Sequence, residues 1–179
     1  MAVIEPWQIA EIAGPKKAAT ISKPEVVAAL IKRAKHPVMI IGHLAATDDF
    51  DGKKMVDYLI GLSKARNIPI IATGDTNRAL ASRGYTGAVI LPAVEAGQRL
   101  SDRQWKGVDG KGPHDLAIFA GLPYYMEWTI LSGLKHFAPQ VRTVTLDKTY
   151  QPNASYSFPN SPTREWLESL LAIVGNTEG

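Results

Sequence analysis

The chain has 179 residues, of which 45% are hydrophobic and 21% charged, with a formal net charge of +3. This describes one globular domain, long enough to bury roughly 70% of its unfolded surface without a disulfide or metal staple. The lack of cysteine excludes disulfides, thiol catalysis and thiolate-held clusters from this chain; the interspersed charges give no nucleic-acid footprint, and no apolar stretch reaches the ~20 residues of a membrane span.

Residues 1–21 read as an N-terminal arm, carrying Pro6, Trp7, Gly14, Pro15, Lys16 and Lys17. Residues 22–179 read as a single α/β domain. Two readings of the arm stand open: a strap on its own domain, or a grip on a partner through Trp7, a residue type favoured at interface hot spots. No basic stretch followed by an apolar core begins the sequence, so no signal peptide is expected and the expected location is cytoplasmic.

A helix is predicted from Ser22, where Ser22 and Glu25 have capping-box spacing around Pro24. Val27, Leu30, Ile31 and Ala34 form its apolar face. A strand follows from Pro37 to Gly42, then a helix over 51–66 with Met55, Tyr58, Leu59 and Leu62 at helical spacing. The second strand is expected from Ile68 to Ala72, and Asp75 caps a short helix through Arg83. Gly87 to Pro92 reads as a third strand, 94–105 as a polar helix, and 106–114 as a loop with three glycines. The fourth strand runs from Asp115 to Gly121; Leu122-Pro123 opens a helix from Tyr124 to Phe137. Val141 to Leu146 is the fifth strand, closed by Asp147. A loop over 148–160 leads to Ser161-Pro162, a cap and first-turn proline, with Leu167, Leu170, Leu171 and Val174 facing the core.

Strands alternating with helices predict a three-layer α/β/α fold around a mainly parallel sheet, of Rossmann-like, nucleotide-binding type. Three apolar runs end on Gly42, Gly74 and Gly121. They lack the alternation of half-exposed strands, as expected for strands covered on both faces. In such sheets ligands sit beyond the carboxyl ends of the strands, so the candidate cofactor-binding residues are Gly42, His43, Gly74, Gly121, Leu122, Pro123, Tyr124 and Asp147. Free N–H groups at the helix start after Gly121 favour a phosphate, and Asp147 suits ribose hydroxyls; a plain strand-to-helix turn and a turn-capping aspartate explain the same residues. His43 lacks an evident nucleophile or carboxylate partner, so no catalytic residue is assigned. Asp48, Asp49 and Asp51 miss the calcium-loop pattern, the four histidines are scattered, and no metal site is expected. Tyr124, Tyr125 and Trp128 are expected to pack.

Glu5 to Ala10, Gly14 to Ala18, Lys35 to His43, Ala120 to Tyr125 and Thr145 to Pro159 together resemble the epsilon subunits of archaeal CO dehydrogenase/acetyl-CoA synthase, the acetyl-CoA decarbonylase/synthase complex. The resemblance covers essentially the whole chain. It implies a fold like the middle domain of thiamine-diphosphate enzymes and the sirtuins. It also implies an accessory, non-catalytic subunit that stabilises a large alpha subunit in an alpha2-epsilon2 heterotetramer, with the nickel–iron chemistry of CO oxidation on alpha. A role in passing electrons to flavin adenine dinucleotide (FAD) is part of that resemblance, with the pyrophosphate near Gly121 to Tyr124 and the ribose near Asp147. Self-association of the isolated chain is a further expectation. The competing reading is a free-standing nucleotide-binding protein or a sirtuin-type NAD-dependent deacylase, against which stand the missing cysteine zinc module and glycine-rich cofactor loop.

Overall fold

Alternating side chains along each central strand point into two separate apolar cores, which is why these segments are apolar at every position. In the computed structural model, Met39 and Ile41 face one core while Val38 and Ile40 face the other. The structure describes residue 14 and residues 16–47, 49, 50 and 52–177. The Trp7 region of the expected arm, and Asp48 and Asp51 of the acidic cluster, lie outside the described residues.

Among the described residues the main sheet has seven strands: β1 (Ala19–Thr20), β2 (Pro37–Ile41), β5 (Ile70–Ala72), β6 (Val89–Ile90), β7 (Leu116–Ala120), β8 (Arg142–Thr145) and β9 (Tyr156–Ser157). Their spatial order is β1-β9-β8-β7-β2-β5-β6, and every pairing is parallel. From β2 the chain steps outward to β5 and β6, then returns to place β7 on the other side of β2. The topological switch point therefore lies between β2 and β7, registered from Pro37 opposite Leu116 to Ile41 opposite Ala120. A separate hairpin joins β3 (Asp49–Phe50) to β4 (Lys53–Lys54).

The helices α1 (Pro24–Arg33), α3 (Met55–Arg66), α4 (Thr76–Ala81) and α7 (Thr163–Thr177) supply the core on one face. On the other face lie α5 (Ala93–Ser101) and α6 (Tyr124–Phe137). The result is the expected three-layer, Rossmann-like arrangement.

Several boundaries differ from the sequence reading for local reasons. Lys23, not Ser22, stands at the cap of α1, and no side chain caps that end. The helix predicted from residue 51 begins at Met55 because the hairpin occupies the preceding residues. Its start is fixed from inside the first turn, where the Lys54 N–H donates to Asp57 Oδ2 at 2.9 Å, and Asn67 ends it in the left-handed region at φ 51°. Asp75 holds the cap position of α4 without a capping hydrogen bond, and the helix stops at Ala81 rather than Arg83. The polar helix is likewise shorter than 94–105, running from Ala93 to Ser101. In α7 the buried stripe is Trp166, Leu170, Ile173 and Thr177; Leu171 is 51% exposed, and Leu167 and Val174 pack only at the margin.

The predicted loop over 148–160 is largely an interior segment. Tyr150, Gln151, Asn153, Ala154, Ser157 and Phe158 are buried, and β9 runs through it. Its backbone is tied down by side chains: Asn160 Oδ1 accepts from Tyr150 N–H, Ser157 Oγ from Gln151 N–H and Thr143 Oγ1 from Ser155 N–H. The last residues of the expected arm join this segment. Ala18 N–H donates to Pro152 O at 3.0 Å, Tyr150 O–H donates to Ala18 O at 2.7 Å, and β1 forms the sheet edge against β9.

Candidate functional site

Beyond the carboxyl ends of β2 and β7 the chain meets itself. Gly42 N–H donates to Ala120 O at 2.8 Å, and Leu44 N–H to Gly121 O at 3.0 Å. A Cβ on Gly42 would run into the Gly121 carbonyl, and one on Gly121, whose φ is +71°, would run into Ala45. Both glycines thus permit a close approach. The approaching group is the turn of α2 (Leu44–Thr47), an element the sequence reading did not contain.

The Gly121 N–H donates to both Asp147 carboxylate oxygens, at 2.8 and 3.1 Å. A strand-end aspartate therefore holds the amide that was expected to face a phosphate. His43 is exposed beside α2, and Gly74 is exposed at the end of β5. Neither lines the pocket beside Gly121, and nor does Pro123, which caps α6.

That pocket, of about 130 Å³, does gather Gly121, Leu122, Tyr124 and Asp147 from the expected set. Its other walls come from residues not anticipated: Leu44, Met55, Glu127, Lys148, Gln151 and Trp166 among them. Trp166 is fixed by its own N–H, which donates to Leu146 O at 2.7 Å. Gln151 is oriented by its amide nitrogen, which donates to Tyr124 O at 3.1 Å, leaving Gln151 Oε1 buried without a hydrogen bond.

Glu127 stands in the first turn of α6, fully buried. Burial, and then the charge of Asp147, push its carboxyl well above the usual range, so it is held protonated. Asp147 and the Thr145 hydroxyl act on it at close range, yet neither of its oxygens makes a hydrogen bond of good geometry. A buried glutamate on a helix whose sequence otherwise reads as ordinary packing carries no signal in the sequence alone.

A second polar cluster lies at the opposite, amino-terminal end of β2 and β7. The rings of His36 and His114 stack with centroids 4.0 Å apart. Both His36 nitrogens face acceptors, Pro113 O at 3.2 Å and Asp109 Oδ1 at 2.9 Å. His114 is different: Val108 N–H donates to its Nε2 at 3.2 Å, so its Nδ1 carries the proton and donates to His36 O at 3.0 Å. Burial lowers the His114 pKa, in keeping with that neutral ring. The cluster clamps the 106–114 loop. Among the described residues, no group of three or more His, Cys, Asp or Glu is placed to hold a metal ion.

The large apolar side chains left exposed include Ile90 on β6, Val94 on α5, and Tyr125, Met126 and Phe137 on α6. Tyr125, expected to pack, is 67% exposed with its ring edge against Tyr124. No described helix is long and apolar enough to cross a membrane.

The family model described as CO dehydrogenase beta subunit/acetyl-CoA synthase epsilon subunit matches residues 1–174. The acetyl-CoA decarbonylase/synthase complex subunit epsilon of Methanothermobacter thermautotrophicus is 40% identical over 167 residues, 93% of this chain and 92% of that protein. Subunit epsilon 1 of the same complex in Archaeoglobus fulgidus is 36% identical, over 94% of this chain and 89% of its own length. The epsilon subunit of Methanothrix soehngenii is 35% identical, over 87% and 80%.

Proposed function

Since the chain belongs to the CO dehydrogenase beta subunit/acetyl-CoA synthase epsilon subunit family, we propose that it is an accessory, non-catalytic subunit. In this reading it stabilises the large, metal-bearing alpha subunit in an alpha2-epsilon2 assembly within an acetyl-CoA decarbonylase/synthase complex. The observation that carries this is the closed switch point. Where a fold of this type receives a ligand, α2 packs backbone to backbone on Gly121, and Asp147 takes the Gly121 N–H. A surface that presents Tyr125, Met126 and Phe137 to solvent suits a protein whose work is contact with another chain.

FAD is the one cofactor the family resemblance brings with it. When bound, a flavin interconverts one- and two-electron transfer. The strand-end residues do not fit it in this arrangement. The Gly121 amide is taken, the Glu127–Asp147 acid pair is unfavourable to a pyrophosphate, and about 130 Å³ falls short of the roughly 300–1,000 Å³ of ordinary ligand pockets. Electron transfer to FAD is therefore no step of this proposal.

The test is co-expression of this chain with the large subunit. Co-purification and a longer thermal half-life of CO oxidation by the large subunit are the expected results; no association would end the accessory reading. Titration of the isolated chain and of the complex with FAD is expected to give no saturable change, and saturation in the micromolar range would return the strand-end crevice to a cofactor role.

A further inference from the structure

The pocket beside Gly121 keeps Gln151 Oε1 buried without a hydrogen bond, and both carboxyl oxygens of Glu127 without one of good geometry, though Asp147 and Thr145 stand close to that carboxyl. Glu127 is 0% and Gln151 1% exposed, and both line the pocket. Native proteins rarely leave such atoms alone, and each calls for an explanation. The Gln151 amide cannot simply be turned to offer a donor, because its nitrogen is already committed to Tyr124 O. Asp147, both of whose oxygens accept from the Gly121 N–H, brings a further carboxylate beside Glu127.

The remaining walls include Leu44, Met55, Leu122 and Trp166. The cavity thus combines apolar walls with the acceptor groups of Glu127, Asp147 and Gln151, with Lys148 and Thr149 also on its wall. Its size is close to that of a cavity that accepts one benzene ring, about 150 Å³. The acid pair repels phosphate or carboxylate. A group that fills this shape has an apolar stem and a tip carrying only hydrogen-bond donors, the description of a lysine or arginine side chain.

We propose that this pocket receives the ammonium or guanidinium end of a Lys or Arg side chain from the large partner subunit, its donors on Glu127, Asp147 and Gln151 and its stem against Leu44, Met55, Leu122 and Trp166. The proposal rests on the accessory-subunit reading and names the point at which the partner engages. On the pocket wall, the Tyr124 ring stands edge-to-face with exposed Tyr125, and Met126 is exposed on the same helix. Buried anchors surrounded by aromatic and Met surface are typical of the centre of a protein interface.

Burial and Asp147 keep Glu127 protonated in the free chain, so an arriving cation displaces that proton into solvent. The groups facing Glu127 are Asp147 and Thr145, with Lys148 and Tyr124 on the pocket wall. Lys148 is itself engaged in contacts. Binding of a cation is therefore tighter as pH rises, and Glu127→Gln, which holds no displaceable proton, flattens that dependence.

Two measurements test this. In the first, the full chain is titrated with n-butylammonium and with methylguanidinium, against n-butanol and acetate, reading the amide NMR shifts of Gly121 and Glu127. Saturable shifts with the two cations only, weakened about tenfold or more by Glu127→Gln and growing with pH, are expected. Absence of saturation in the wild-type chain, or an equal response in Glu127→Gln, overturns the proposal. In the second, Glu127→Gln and Asp147→Asn chains, checked for a native melting transition, are assembled with the large subunit. Assembly at least about tenfold weaker is expected, and assembly as tight as wild type overturns the proposal. Failure of the wild-type chain itself to assemble would instead refute the accessory reading, leaving the pocket to be judged on the first measurement.

Discussion

An alanine at position 121 would place its methyl group where Ala45 already sits, on a residue whose φ is +71°. Both the left-handed backbone and the overpacking oppose it, so Gly121→Ala is expected to cost about 2–4 kcal/mol, read as a lower urea midpoint with an unchanged slope. The mobile far end of a side chain could give way; the α2 backbone cannot. Glycine at a strand end was correctly legible as a site of close approach. What approaches was not legible, because a four-residue helix leaves too short a pattern to be recognised. Glu127 makes the opposite point. Its pKa is raised by burial first and by Asp147 second, so the folded state withholds ionisation that the unfolded chain enjoys. The penalty is absent below the ordinary glutamate value of 4.5 and grows as pH rises toward the folded pKa. Glu127→Gln is therefore expected to raise the melting temperature at neutral pH, with the gain disappearing in acid. A melting curve series across pH checks both the sign and the window.

At the scale of elements, the 106–114 loop depends on a neutral ring. His114 must accept from Val108 N–H at Nε2 while donating from Nδ1 to His36 O. Burial holds its folded pKa below the ordinary histidine value of 6.5. The stability it lends is complete above that value and is lost as pH falls through the lower folded pKa, when protonation turns Nε2 from acceptor to donor. The Val108 amide should lose hydrogen-exchange protection on acidification, more steeply than amides of β7, and His114→Gln should flatten that dependence. The edge pairing of β1 with β9 gives a second case. Burial raises the Tyr150 pKa, keeping its O–H as the donor to Ala18 O at 2.7 Å. Tyr150→Phe leaves that carbonyl short of a partner and should cost about 1–2 kcal/mol, seen by differential denaturation and as faster exchange at Ala19. Neither β1 nor β9 was readable: two-residue strands have no period, and the 148–160 segment has the Asn, Pro and Ser content of a surface loop. Side-chain bonds from Asn160, Ser157 and Thr143 keep it inside. In α7 the expected positions were three leucines and Val174, whereas the buried stripe runs through Trp166, anchored on Leu146 O, and Leu171 faces out.

Across the whole molecule the readable part was the alternation of strands and helices. Doubly covered strands such as Leu116–Ala120 are apolar at every position, and the helices between them carry period-3.6 faces, so layer order followed directly. The pocket was only half readable. Gly121, Leu122, Tyr124 and Asp147 are at one place as expected, since all follow parallel strands; Leu44, Met55, Gln151 and Trp166 arrive from elements whose placement depends on the finished packing. At this scale the accessory reading makes its own prediction. Phe137→Ser and Met126→Ser leave no cavity, because both side chains are exposed, so the isolated chain should melt within about 0.5 kcal/mol of wild type. A larger loss would mean that this surface already packs on the chain itself.

Ala19 pairs with Tyr156, whereas Met39 already finds Ile70, so the first strand made is the last to find its partner. At the ribosome's pace of about 5–20 residues per second, the segment that becomes β1 waits on the order of 10–30 s for β9 to be synthesised. During that interval the nascent chain has an amino-terminal segment open to proteases, to chaperones and to other nascent chains. A ribosome-stalled chain ending before residue 150 should lose this segment to limited proteolysis, while one extended past residue 177 by an unstructured linker should keep it.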